Sequence, residues 1–138
     1  MSEFVTGQTR EKLSEPWYNP DGDCIVYQMA DEGIVARRID DILTIYNSAT
    51  SSKTIGFQIK GVAALARKYG WHGIVVECRQ AEEEIKEVSL SALLLAAYEQ
   101  GPKTIGRRSA YADMLDTLST VPRMRVDDLE SLFPKSLT

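Results

Sequence analysis

The chain has 138 residues, a length typical of one domain that buries a core without disulfide or metal staples. A hydrophobic content of 43% and a charged content of 26% exclude a globally disordered chain, and the net charge of −4 excludes the strong basic field of a whole-domain nucleic-acid binder. The longest apolar run, residues 92–98, is too short to span a membrane, and the polar start is unlike a signal peptide. We therefore expect a cytoplasmic protein.

The first half of the chain has the signature of a small sheet. Residues 1–16 are polar and lack periodicity, which predicts a flexible N-terminal arm before a single domain at residues 17–138. Residues 19–23, Asn-Pro-Asp-Gly-Asp, have strong turn chemistry. Four runs follow that each predict a strand, 24–29, 34–39, 42–47 and 54–60, and the apolar–polar alternation is clearest at 54–60. Together they predict a four-stranded antiparallel β-meander with one face on a core and one face solvated.

The periodicity then becomes helical. Apolar residues spaced three and four apart predict a helix over 62–69, and Gly70 stands where a helix-terminating glycine belongs. Residues 74–76 are typical of a short buried or edge strand. The acidic segment 80–87 indicates a solvated helical turn or a linker.

Helices are predicted to dominate the rest of the chain. Ser89 is a candidate N-cap, flanked by Val88 and Leu93 in the positions of a hydrophobic staple, for a helix that stops at Gly101-Pro102. Two more helices are predicted, one at 109–119 and a short last one that starts with the capping-box-like residues 127–130 and is ended by Pro134. The fold class is therefore α+β: a β-meander plus helix over 17–70, and a short strand with helices packed on it over 71–138.

No metal or cofactor site is predicted. Residues 19–23 imitate the opening of a calcium loop, but its sixth and twelfth positions are Cys24 and Ala30 rather than glycine and glutamate. A zinc site lacks ligands, because His72 is the only histidine. Cys24 and Cys78 are expected to be free, buried thiols, with a disulfide between them left open.

The residues favour a protein that is not an enzyme. No nucleophile motif accompanies His72, which is expected to be a structural histidine. If the protein is instead an enzyme or a small-molecule binder, its pocket is expected near Trp71, His72 and Tyr18.

Two charged groups could contact partners. Glu82, Glu83, Glu84 and Glu87 form either a solvated face or an acidic docking patch for a basic partner. Lys103, Arg107, Arg108, Arg123 and Arg125 gather at the ends of the predicted 109–119 helix and could contact a protein partner or phosphates. A helix–turn–helix arrangement is disfavoured, since the 101–108 connection is longer than its usual turn.

Residues 17–62 resemble a family of short bacterial domains of unknown function. Its Tyr-x-Pro-x-x-Asp-x-(Leu/Ile)-Tyr opening is matched by Tyr18, Pro20, Asp23 and Ile25, with Tyr27 one position beyond the pattern's last tyrosine, and its closing Gly-(Ile/Phe)-(Glu/Gln)-Ile strand is matched by residues 56–59. Gln58, where a glutamate is common, and the long serine-rich loop depart from the pattern. The resemblance implies a β-meander and brings no established catalytic residues. It also suggests an antitoxin-like partner. Residues 71–138 resemble no family known to us.

Three hypotheses follow for function. The first is a non-enzymatic protein-interaction or oligomerisation module, forming homo-oligomers or binding another protein. The second is a nucleic-acid-associated or antitoxin-like regulator that uses the basic 103–125 region. The third is a small-molecule binder or enzyme with a pocket near Trp71 and His72. We favour the first.

Overall fold

The computed structural model describes residues 15–70, 73–80 and 83–125. The strands in this part of the chain are β1 (Trp17–Asn19), β2 (Cys24–Gln28), β3 (Ile34–Arg38), β4 (Leu43–Ser48), β5 (Thr54–Lys60), β6 (Val75–Gln80), β7 (Glu83–Val88) and β8 (Met124–Arg125). The helices are α1 (Val62–Tyr69), α2 (Leu90–Tyr98) and α3 (Ile105–Leu118). The α+β class is therefore confirmed. Most of the predicted N-terminal arm and the predicted last helix, which starts at 127, lie outside the described residues.

The first sheet is antiparallel and has five strands in the order β1-β2-β5-β4-β3. The predicted four-stranded meander is wrong in its strand order, because β2 pairs with β5 and not with β3. The pairing brings Tyr27 opposite Phe57, with ring centroids 5.9 Å apart, and both side chains are buried. Strand β3, by contrast, has no apolar face to bury between two neighbours, and it lies at the edge. The short strand β1 was not predicted.

A second sheet is present, of which only the short strand at 74–76 was predicted; it corresponds to the start of β6. This sheet has three antiparallel strands in the order β6-β7-β8, so the described residues of 73–125 contain a sheet beside α2 and α3 and do not match a mostly helical half. Within the acidic segment, residues 83–87 belong to strand β7 rather than to a helical turn or linker. Its pairing with β6 places Lys86 opposite Glu77, so opposite charges occupy this paired position of the two strands.

Capping residues set where α2 and α3 begin. Ser89 caps α2 as predicted, its hydroxyl oxygen accepting a hydrogen bond from the Ala92 amide at 3.1 Å. Helix α3 begins at Ile105, four residues earlier than predicted, because Thr104 caps it by accepting from the Arg107 amide.

A single core joins the first sheet to the helices. Ile25, Leu43, Ile45, Phe57 and Ile59 project from β2, β4 and β5, and each is at most 1% exposed. Buried residues of all three helices pack in the same cluster, among them Val62, Leu93, Leu94 and Met114. Cys24 is a free, buried thiol, as predicted. Residues from both halves of the chain thus share one interior.

Candidate functional site

The five basic residues predicted to contact a partner lie in different environments. Arg107 is buried, whereas Arg108 and Arg125 are exposed. Lys103 donates to the Tyr98 carbonyl at 3.0 Å and lies 4.4 Å from the centroid of its ring. Arg123 forms an ion pair with Glu87 at 3.1 Å.

Arg107 connects α3 to two other parts of the fold. Its Nε donates to Asp40 Oδ2 at 2.8 Å, across 67 residues of sequence. Its two terminal nitrogens donate to three backbone carbonyls at 2.8–3.0 Å, those of Ala97, Tyr98 and Pro102. Since every nitrogen of this guanidinium is engaged and the side chain is 6% exposed, Arg107 is not available to a phosphate.

Asp40 is the matching acceptor, at the corner between β3 and β4. Its Oδ1 accepts from the amides of Ile42 and Leu43 at 2.9 and 2.7 Å, which shapes the corner. Its Oδ2 accepts from Arg107 and, at 2.6 Å, from the Tyr111 hydroxyl. The carboxylate therefore ties the first sheet to α3.

The approach of Arg107 requires a glycine nearby. A Cβ at Gly101 would lie 3.0 Å from the guanidinium carbon of Arg107, so a larger residue would crowd it. The Arg107 guanidinium also lies 5.0 and 4.9 Å from the ring centroids of Tyr98 and Tyr111. The cluster is built to hold the fold together, with all its side-chain polar groups partnered.

Hydrogen bonding sets the ionisation of this cluster. Burial alone would raise the pKa of Asp40, but hydrogen bonds from the Leu43 amide, the Tyr111 hydroxyl, the Arg107 guanidinium and the Ile42 amide outweigh it. They hold the pKa of Asp40 below its ordinary value of 3.8. Burial and the hydrogen bond to Asp40 raise the pKa of Tyr111, so this hydroxyl stays protonated and is unsuited to act as a base.

Because the pKa of Asp40 is lowered in the folded state, the protein is expected to lose stability as the pH falls. Ionised Asp40 stabilises the folded state at neutral pH, and this contribution is lost as the pH falls through 3.8 towards the lower folded pKa. We expect the difference in free energy of unfolding between wild type and Asp40→Asn to be smaller at about pH 3.5 than at about pH 7. Urea unfolding at both pH values measures it. A difference that did not change with pH would contradict this assignment.

Tyr18, predicted to line a pocket, instead supports the start of a helix. It is 5% exposed, and its hydroxyl donates to Asp23 Oδ1 at 2.7 Å. The Asp23 carboxylate also accepts from the Ala63 amide at 3.0 Å, and the Asp23 carbonyl accepts from the Gly61 amide. Asp23 thus caps α1 from a turn 40 residues away in sequence. Trp71 and His72, the other residues of the predicted pocket, lie outside the described residues.

An open cleft adjoins the Arg107 cluster. It has a volume of about 640 Å³ and lies between the β3–β4 corner and the segment joining α2 to α3. Arg38, at its rim, already pairs with Asp41 at 2.6 Å. Asp40 and Arg107 line its floor, and their bonds to each other leave the cleft without a free buried charge to recognise a ligand.

The most unusual surface is the edge formed by β3. All five residues of Ile34–Arg38 are exposed, whereas each of β2, β4 and β5 buries at least half of its residues. Ile34 and Val35 are 39% and 57% exposed. On the side away from β4, no described segment pairs with this strand. The sequence carries a signal for this edge, because residues 34–38 run from apolar to basic without the alternation of a strand with one buried face.

The described residues do not hold a group of three or more histidine, cysteine, aspartate or glutamate side chains placed to bind a metal ion. None of their helices is both long and apolar enough to cross a membrane.

Comparisons with family models, with curated proteins and with solved structures found no match. The resemblance of residues 17–62 to a bacterial β-domain family therefore stays a prediction. The residues that carry it have structural roles here: Tyr18 and Asp23 secure α1, while Ile25 and Tyr27 fill the core.

Proposed function

We propose that this protein is a non-enzymatic interaction module that binds an extended protein segment along the open edge of β3. The single observation that carries the proposal is that every residue of Ile34–Arg38, at the edge of a five-stranded sheet, is exposed. Binding would add a sixth strand, a mode in which main-chain hydrogen bonds supply affinity and neighbouring side chains supply specificity.

The backbone of β3 has groups to offer a partner. The Ala49 amide donates to the Gly33 carbonyl and the Ile39 amide donates to the Leu43 carbonyl, so the odd-numbered residues bond towards β4. In an antiparallel pair the hydrogen-bonding direction alternates along the strand. The N–H and C=O groups of Ile34, Ala36 and Arg38 therefore point to the open side.

The side chains of β3 also favour binding. Edge strands that must stay single are commonly blunted by proline, bulges or inward-pointing charges. Strand β3 has no proline, and its pairing with β4 is regular over all five residues. Its charged residues, Arg37 and Arg38, stand only at one end, while Ile34 and Val35 expose apolar surface.

Site-specific photo-crosslinking in cells tests the proposal. The full chain would carry benzoylphenylalanine in place of Val35, and a control would carry it in place of Ala64, which is exposed on α1. We expect an adduct of higher mass from position 35 and none from position 64.

A blocking variant shows whether the edge itself is used. Ala36→Pro removes an N–H that points away from β4, so the fold is retained while strand addition is blocked. The adduct from position 35 should disappear in this variant, with the urea midpoint little changed. No adduct from position 35, or an equal yield from position 64, would overturn the proposed function.

A further inference from the structure

We infer that the segment bound by β3 is the same strand of a second copy of this chain, paired antiparallel about a two-fold axis at Val35. The inference rests on the proposed function and identifies its partner. The two five-stranded sheets would then form one continuous sheet of ten strands, counted from the described strands.

Charge complementarity along the edge supports this partner. Asp31 and Glu32 precede the strand, three apolar residues follow Gly33, and Arg37 and Arg38 end it. Antiparallel pairing of two identical strands brings the acidic start of each beside the basic end of the other. Parallel pairing would instead set like charges together.

The outward-pointing backbone groups restrict the register. Ile34, Ala36 and Arg38 must bond to residues of the partner that also point outward. With the two-fold axis at Val35, Ile34 lies opposite the partner's Ala36, and Glu32 lies opposite the partner's Arg38. The two Val35 residues then form a non-hydrogen-bonded pair, in which side chains approach most closely.

The residues that this register brings together are exposed in the single chain, so a second copy can contact them. Val35, 57% exposed in the single chain, would be covered by its symmetry mate. Glu32 is held beside β3 by the Ser48 hydroxyl, which donates to its Oε1 at 2.5 Å, and its residue remains exposed. Arg38 lies on the surface with 71% of its side chain exposed, so it can reach a second carboxylate besides Asp41.

Charge-reversal variants of the full chain test both the partner and the register. Analytical ultracentrifugation would follow association from about 1 µM to about 1 mM, since a small edge contact gives a weak dimer. Glu32→Arg places two arginines opposite each other at both ends of the interface, and Arg38→Glu places two glutamates there. We expect each to raise the dimer Kd by about tenfold, because two ion pairs become two like-charge pairs.

Two further samples separate an effect on pairing from an effect on folding. The double variant E32R/R38E restores opposite charges and should dimerise like wild type. An equimolar mixture of the two single variants should form heterodimers, because each variant then faces its complement. As a matched control, Arg108→Glu reverses an exposed charge on α3 and should leave the Kd unchanged.

The outcomes distinguish this inference from the proposed function. A wild-type chain that stays monomeric over this range, while position 35 still crosslinks to a different protein, overturns the second copy and leaves the interaction module standing. A monomer without any adduct overturns both. A dimer unaffected by either single variant, or not restored in the double variant, overturns this register and interface.

Discussion

Replacing Arg107 with alanine is expected to lower the free energy of unfolding by about 3–5 kcal/mol. The substitution leaves the Asp40 carboxylate without its cationic partner and removes the donor of three backbone carbonyls, those of Ala97, Tyr98 and Pro102. A partly buried charge and carbonyls that have lost their partners destabilise the folded state by more than the intact Arg107–Asp40 ion pair stabilises it. Urea unfolding followed by circular dichroism gives the value.

Neighbouring substitutions make the result specific to this cluster. Arg108→Ala removes the adjacent, exposed arginine and should change the free energy of unfolding by less than about 0.5 kcal/mol. Arg107→Lys keeps the charge but cannot serve one carboxylate and three carbonyls with a single ammonium, so it should recover only part of the loss. Equal stability of the Arg107→Ala variant and wild type would show that the cluster does not hold the two halves together.

Replacing Gly56 with alanine is expected to cost about 3 kcal/mol or more, the upper end of the range for overpacking. Strand β5 is central, and a Cβ at Gly56 would lie 2.2 Å from the Tyr27 carbonyl oxygen and 3.1 Å from the Tyr46 ring. The first contact is with backbone, which a side-chain rotation cannot relieve. Thermal or urea unfolding measures the effect.

Gly106 offers the opposite control in the same chain. It lies in α3, and a Cβ there would meet no atom within 4 Å among the described residues. Gly106→Ala should therefore raise the free energy of unfolding by about 0.5–1 kcal/mol, through helix propensity. If Gly56→Ala were as well tolerated as Gly106→Ala, the close approach of β2 to β5 would be wrong.

The local elements were largely predictable because their causes lie within a few residues. Alternation at 54–60 predicted β5, and Ser89 predicted the start of α2. Segment 80–87, which was predicted to be a helical turn or a linker, shows the limit of prediction from local patterns. Its acidic residues favour solvent in a helix or in a strand, and only pairing with β6 distinguishes the two.

The candidate site was less predictable than the elements. Arg107 was singled out for its charge, but its partner Asp40 is 67 residues away, and no local pattern indicates a contact over that separation. The edge position of β3 could not follow from chain order, since β2 skips its neighbour in sequence to pair with β5.

By itself, the sequence determined the α+β class, most of the strands and helices, and the turn and cap chemistry between them. These depend on periodicity and on short-range hydrogen bonds. The tertiary structure decided the strand order, the second sheet, the burial of Arg107 and the exposure of β3. Each of these depends on which distant segment covers a given surface, a choice made by the packing of the whole core.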